Sequence, residues 1–509
     1  MSLARTRGIA LTGLAGHVVE IEADLSAGLP GVSITGLADT AVMESRDRIR
    51  AAVGNAGVDW PNRRITVALL PADVRKVGSR FDLALAVAVL AASEQIPAEP
   101  IAEVAWIAEL GLDGRLRAVR GVLPAVVAAR AAGVRRVVVP PANAAEAALV
   151  DDLDVRTAHD LREIVGSLRG DSAPLPVATP HDSADEVALD IDLADVAGQT
   201  SAKRALEIAA AGRHHLYLVG PPGAGKTMLA ERLSTIIPPL DDSTAIEVTA
   251  VHSVAGRLPR TPRLIRRPPF ESPHHTATVA ALVGGGSHLA RPGAISLAHA
   301  GVLFLDEAPE FSPRALEAMR QPIESGTVTL HRSGGVVSYP ARFQLVLAAN
   351  PCPCGRSASQ CDCAPAARRR YQHRLSGPLL DRIDLRVHVE PVRHLELTAH
   401  EQRESSSVVA ARVAAARATA AQRWQALPWD CNAEIPGPLL RSGPWALPRE
   451  ALAAPEREIE RGALSARGFD RVLRLAWTVA DLNGHEVPDS GDVAEALFFR
   501  TGDAAAVAA

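Results

Sequence analysis

Gly220-Pro-Pro-Gly-Ala-Gly-Lys226-Thr227 decides the fold of this 509-residue chain. It fits G-x-x-x-x-G-K-[ST] at every position. An apolar run, Leu216-Tyr-Leu-Val-Gly, precedes it and helical sequence follows, so the pattern is strand, loop, helix. Glycines let backbone N–H groups curl around phosphate oxygens, and the helix N-terminus adds partial positive charge. Lys226 is expected to reach the β- and γ-phosphates, and the Thr227 hydroxyl to hold Mg²⁺. The nucleotide-binding set is Gly220, Pro221, Pro222, Gly223, Ala224, Gly225, Lys226, Thr227 and the adjoining Met228.

Two further apolar runs extend the argument to an α/β fold with parallel strands, Val302-Leu-Phe-Leu and Phe343-Gln-Leu-Val-Leu-Ala-Ala. The first ends in Asp306-Glu307, where open α/β sheets place their ligands. Asp306 would hold Mg²⁺ through water. Glu307 would orient and deprotonate the attacking water, with a solvated helix-start acid as the plainer reading. Asn350 ends the second run and would face the γ-phosphate; an ordinary Asn-Pro turn fits it too.

Composition limits the alternatives. Hydrophobic residues make up 47% and charged residues 22%, which are globular proportions. A net charge of −4 excludes coating of nucleic acid by bulk charge, so any such contact must use local patches. With aromatics at 3%, a stacking platform is not expected. The longest apolar run, Leu83 to Ala92, is half the roughly 20 residues needed to span a bilayer, and reads as a buried helix. The N-terminus has no signal-peptide core, and five cysteines make no disulfide framework. A soluble, cytoplasmic protein without membrane contact is expected.

Three regions separate along the chain. Residues 1–168 alternate strand-like runs (Val18 to Ala23, Ile65 to Leu70, Val137 to Pro140) with helical ones (Arg80 to Ala92, Leu123 to Ala132). Residues 169–189 are rich in Pro, Ser and Asp and read as a linker. Residues 190–395 carry the phosphate-loop region. Residues 396–509 are helical, with Ser407 to Ala421 and Gly468 to Asn483 parted by a Pro-rich interval, 428–455.

The ordered set resembles the AAA+ ATPases, with Gly220–Thr227 as Walker A, Asp306-Glu307 as Walker B and Asn350 as sensor 1. The resemblance continues into Ser376-Gly-Pro-Leu-Leu-Asp-Arg382-Ile-Asp-Leu and Leu464-Ser-Ala-Arg467-Gly-Phe. It implies that Arg382 acts on ATP held by a neighbouring subunit, that Arg467 is the sensor 2 arginine of a helical lid, and that the chains form a ring, usually a hexamer. Further stretches resemble the magnesium-chelatase-type branch of AAA+ proteins. They are Pro269-Phe-Glu-Ser-Pro-His-His-Thr, Arg291-Pro-Gly-Ala-Ile-Ser-Leu-Ala-His and Val328-Thr-Leu-His-Arg-Ser-Gly-Gly-Val-Val, the last expected to be a hairpin turning at Gly334-Gly335. With Asn350-Pro-Cys-Pro-Cys-Gly and the N-terminal region, they resemble the YifB/ComM family over nearly the whole chain. One departure is Ala294, where that family would be expected to carry an acid.

The N-terminal region resembles the Lon protease domain in Lys76-Val-Gly-Ser-Arg80-Phe-Asp-Leu-Ala and Glu109 to Pro124. Lon chemistry needs a serine nucleophile activated by a lysine. Alignment puts Arg80 and Pro124 at those positions, so an inactive domain is expected, with a shifted Ser79/Lys76 pair as the remaining route to proteolysis. The family resemblance implies a Mg²⁺-dependent ATPase ring acting as a DNA motor in branch migration of incoming DNA during natural transformation. A magnesium-chelatase- or MoxR-like motor remodelling a protein partner is the alternative.

Cys352, Cys354, Cys361 and Cys363 form C-x-C-x₆-C-x-C, which can close a tetrahedral Zn²⁺ site; reduced free thiols are the alternative. His274 and His275 have no acidic partner at metal spacing in the sequence and read as polar loop contacts. The resemblance makes their loop a candidate to face a ring pore and DNA. Arg332 on the expected hairpin, and Arg368, Arg369 and Arg370 after the cysteines, are further candidates for phosphate contact.

Overall fold

In the computed structural model, residues 2–179, 191–286, 290–332, 335–356, 361–392 and 403–502 are described. The apolar runs form a five-stranded sheet in the spatial order Phe270–Glu271, Val302–Leu305, Gln344–Ala349, Leu216–Val219, Leu385–His388. Every pairing in it is parallel. Val302–Leu305 and Gln344–Ala349 are buried at each position, as strands covered on both faces must be. The register sets Leu216–Val219 against Val346–Ala349 on one side and Leu385–His388 on the other. Gly220, Asp306 and Asn350 therefore all leave the sheet at its C-terminal end.

The helical region packs on the helices beside that sheet. Ser406–Trp424 and Ala466–Asn483 bury one apolar face each. Trp424 meets Trp445 and Trp477 edge-on at 5.2 and 6.0 Å between ring centroids. The guanidinium of Arg423 lies 4.4 Å over the Trp477 ring. The interval 428–455 is more ordered than its prolines suggest. Pro438 opens a short helix, Gly437–Arg441, and Pro455 lies inside Arg449–Glu460. A proline in the first turn costs no hydrogen bond, whereas Pro455 gives one up inside a helix that packs on the final helix, Ser490–Thr501.

The N-terminal sheet has seven strands in the order Gly31–Thr35, Arg64–Leu70, Ala15–Ser26, Ser2–Thr12, Val104–Trp106, Arg136–Val139, Asp154–Thr157. Antiparallel pairing at its centre gives way to parallel pairing on both flanks. The helix Asp82–Ala92 is buried at all its positions, which explains its apolar residues on every face. The Pro-rich stretch after residue 169 is partly tied down. The Thr157 N–H donates to the Pro176 carbonyl at 3.0 Å, and the Ala178 N–H to Val155 at 2.8 Å, so this stretch covers an otherwise open sheet edge. Residues 180–190 lie outside the described residues.

Helix Val122–Ala131 of the N-terminal region packs on helix Asp242–Ala255 beside the nucleotide sheet. Buried Glu146 links the two, accepting from the Leu123 N–H at 2.8 Å and from the Ser253 hydroxyl. The expected hairpin is present as Thr327–Arg332 and Gly335–Pro340. Arg332 pairs with Gly335, so Gly335, expected in the turn, belongs to the second strand. Residues 333–334 themselves lie outside the described residues.

Candidate active site

The loop after Leu216–Val219 folds as its glycines require. Gly223 and Gly225 have φ of 76° and 92°, left-handed values that side chains resist, and Gly225 starts helix Lys226–Ile236. The Lys226 ammonium turns back into the loop. It donates to the carbonyls of Gly220 and Pro221 at 2.7 and 3.0 Å and to Asn350 Oδ1 at 3.2 Å. Burial lowers its pKa, an effect partly offset by Asp306 and Glu307. The Thr227 hydroxyl donates to Asp306 Oδ2 at 2.8 Å. A hydroxyl and a carboxylate so placed supply the hard oxygen donors that Mg²⁺ takes, with phosphate and water completing its shell. Pro222, Gly223, Thr227, Met228, Asp306, Glu307 and Asn350 line one cleft.

Glu307 sits at φ 49°, a left-handed backbone costing about 1–3 kcal/mol for a residue with a side chain. Its side chain is half exposed and faces His275, whose Nδ1 is 3.4 Å from Glu307 Oε2. His274 stacks on His275 with centroids 4.1 Å apart. In the sequence the pair reads as a polar loop contact with no acidic partner at metal spacing, and the structure supplies the polar contact to His275 from a distant acid. The partner is the candidate catalytic glutamate, 32 positions away in sequence and invisible to a spacing rule.

The two candidate arginines lie elsewhere. Arg382 and Arg467 line a second cleft, with Arg471, Arg474 and Asp384. Its walls include His215, Gly301 and Gln344, which stand at the starts of the strands whose other ends lead to Gly220, Asp306 and Asn350. From His215 to Gly220 the extended chain covers roughly 16 Å, more than an arginine side chain can bridge. Arg467 shares the cleft of Arg382 and lies away from the phosphate loop of its own chain. Arg382 is held by the Pro378 carbonyl at 2.6 Å and by an ion pair with Glu324. Behind them, buried Asp384 bonds Arg471 and accepts the His215 N–H at 2.9 Å. Burial would raise its carboxyl; Arg471 and His214 outweigh that and hold it well below the usual carboxylate range.

One residue went unread in the sequence. Gln199, at φ 56°, donates from Nε2 to the Ala224 carbonyl of the phosphate loop at 3.3 Å and to Glu390 at 2.6 Å. It fastens the loop to the chain leaving the edge strand Leu385–His388.

The remaining candidates are dispersed. Arg332 is exposed near the hairpin tip. Arg368, Arg369 and Arg370 lie on helix Pro365–Gln372, with Arg369 and Arg370 exposed. The four cysteine sulfurs gather within 4.8 Å of one another. In the N-terminal region Ser79 donates to Glu109 and Lys76 to the Pro71 carbonyl, so neither points to the other. Arg80 reaches the Arg120 carbonyl at 2.8 Å, and the neighbouring Gly121 lies against Val254 of the nucleotide region.

This fold and this cleft define an ATPase of the AAA+ type, a class that uses ATP with Mg²⁺. Family models agree: magnesium chelatase subunit ChlI matches residues 192–397, a further ChlI model residues 21–143, and the ChlI C-terminal model residues 403–500. The chain is 54% identical over 502 residues to an uncharacterised protein of Mycobacterium tuberculosis, covering 98% of this chain and 99% of the relative. It is 41% identical to competence protein ComM of Haemophilus influenzae over 507 residues, 98% of each. It is 41% identical to YifB of Escherichia coli over 506 residues, 99% of this chain and 98% of that one. A Lon protease of Mycolicibacterium smegmatis matches a shorter stretch, 31% identical over 171 residues and 22% of its length. The chain belongs to the YifB/ComM family. Among the described residues, no helix is long and apolar enough to cross a membrane.

Proposed function

We propose that the protein is a ring-forming, Mg²⁺-dependent ATP hydrolase of the cytoplasm that works as a DNA motor. The observation that carries the ring is the split of the nucleotide machinery between the two ends of one sheet. Lys226, Thr227, Asp306, Glu307 and Asn350 stand at one end, Arg382 and Arg467 at the other. Each chain would thus complete its neighbour's site, and a hexamer is the expected closure. Lys226 and the loop N–H groups hold the phosphates, Glu307 takes the water proton, and Asn350 orients the water. Arg382 and Arg467 from the next chain stabilise charge on the departing phosphoryl group. Mg²⁺ on Thr227 and Asp306 would neutralise charge on the β- and γ-phosphates.

The DNA assignment rests on the full-length likeness to the competence protein ComM. It extends to branch migration during recombination of incoming DNA. Exposed Arg332, Arg369 and Arg370, repeated around a ring, supply phosphate contacts. The residues 1–168, 190–395 and 396–509 act in this reading as an inactive Lon-like scaffold, the motor core and its lid, joined by the linker 169–189. His275, placed on Glu307, would relay the state of its insert to the catalytic base.

ATP hydrolysis with and without single-stranded and forked DNA, at low and moderate salt, tests the reading. Stimulation that fades with salt supports a DNA motor. Hydrolysis indifferent to every DNA moves the reading to remodelling of a protein partner, which the chelatase-type family models favour.

A further inference from the structure

We propose that Cys352, Cys354, Cys361 and Cys363 bind one Zn²⁺ ion, and that the loop this ion closes braces the phosphate loop. The second half rests on the nucleotide reading above; the first does not. All four cysteines are free thiols. Three of the sulfur pairs stand at 3.2, 3.4 and 3.7 Å, and all four sulfurs lie within 4.8 Å of one another. A tetrahedron with Zn–S bonds of about 2.3 Å sets its sulfurs about 3.8 Å apart. The iron–sulfur clusters spread their cysteine sulfurs wider than this group does, so a single soft ion fits.

Burial does not explain the gathering. Only Cys352 is buried; Cys354 is exposed, and Cys361 and Cys363 are intermediate. Between Cys352 and Cys363 the sequence carries Pro, Gly, Arg, Ser, Ala, Gln and Asp and no large apolar residue. A bound ion accounts for the gathering, the four thiols giving up their protons as it enters. Arg356 and Asp362, paired at 2.7 Å, already join the two arms of the loop.

The loop begins two residues after Asn350 and presses on Walker A. A Cβ on Gly355 would stand 2.8 and 2.9 Å from the Pro222 ring carbons and 3.9 Å from Asn350 Cγ. Pro222 and Asn350 are thus backed by the same turn. Closing it with metal fixes one wall of the ATP cleft.

The test begins with the metal content of the purified full-length protein, by elemental analysis. One zinc per chain is expected, lost in Cys354→Ser and Cys363→Ser and kept in Cys431→Ser, whose thiol lies outside the cluster. Cobalt exchanged into the site should show the visible absorption of a tetrahedral tetrathiolate. A fluorescent ADP should bind roughly tenfold more weakly to Cys354→Ser or to chelator-treated protein. Circular dichroism and melting separate this from unfolding. Iron in place of zinc, or no metal with all four thiols freely reactive, overturns the site. Full zinc with unchanged ADP affinity after its removal overturns the brace and leaves the site standing. Zinc in a protein that binds no nucleotide at all sinks the nucleotide reading, not the metal.

Discussion

The two ends of the nucleotide sheet are built from different materials. At the C-terminal end the working parts are backbone N–H groups, one ammonium, one hydroxyl and two carboxylates, set by a tight glycine loop. At the N-terminal end they are long guanidinium side chains from a loop and a lid helix, with Arg382 held by Glu324 and the Pro378 carbonyl and Arg471 by buried Asp384. The first end is complete on one chain. The second gathers its arginines in a cleft away from the glycine loop; in the function proposed above they act on the nucleotide of another copy.

The sharpest way to break that comparison is to disable each end separately. Glu307→Gln should bind ATP and lose hydrolysis by about 10²–10⁴-fold, as removal of a general base does. Arg382→Ala should lose about 10³-fold or more, the worth of an arginine finger, with nucleotide affinity nearly unchanged. Mixed in one preparation, the two inactive variants should recover part of the activity. Some interfaces would then pair an intact glutamate with an intact arginine. No recovery at any ratio, with mixed rings present, would mean that Arg382 serves its own chain. Arg467→Ala should cost less, on the order of tenfold, because Arg382 remains to carry charge, and it should behave like Arg382 in the same mixing assay.

The C-terminal end was legible in the sequence because its chemistry is local. The spacing from Gly220 to Thr227 is a backbone shape, and Val302 to Asp306 and Phe343 to Asn350 are apolar runs that end in polar residues. Leu83 to Ala92 was legible as a buried helix for the same reason: apolarity without period has few other homes. At the N-terminal end the family resemblance named Arg382 and Arg467, but their grouping was not legible in spacing. Which strand starts lie together depends on parallel crossovers, and no residue spacing records them; the shared cleft of Arg382 and Arg467 is therefore visible in the fold alone. His275 facing Glu307, and Gln199 clasping Ala224, are likewise contacts between segments far apart in sequence. Pro455 misled because tertiary packing outweighs one lost helix bond.

His275 sharpens the comparison from the other side. If its contact restrains Glu307, His275→Ala should raise basal hydrolysis and blunt any stimulation by DNA. An exposed pair is worth about 1 kcal/mol or less, so the rise should not exceed ~5-fold. A fall in basal rate would instead make His275 part of the machinery that positions the attacking water.

The smallest effect is expected from acid, and it should fall on the arginine end. Burial pushes the His215 imidazole down to about 4, and its Nδ1 accepts the Leu345 N–H at 3.0 Å. A histidine depressed in the folded state takes up its proton more readily when unfolded, where its pKa is about 6.5. Its contribution is therefore whole above pH 6.5 and is lost as pH falls toward 4, at up to about 1.4 kcal/mol per pH unit. Asp384, held low by Arg471, loses its contribution only below the ordinary carboxylate range, so it adds nothing in that window. Nothing at the phosphate loop carries a comparable histidine switch in the backbone hydrogen bonds that shape it. Melting temperatures measured from pH 7 to 4.5 should decline in the native protein and decline less in His215→Asn, whose amide oxygen can still accept from Leu345. Equal slopes for the two proteins would assign the acid loss to carboxylates elsewhere, and the arginine end would be no softer than the loop.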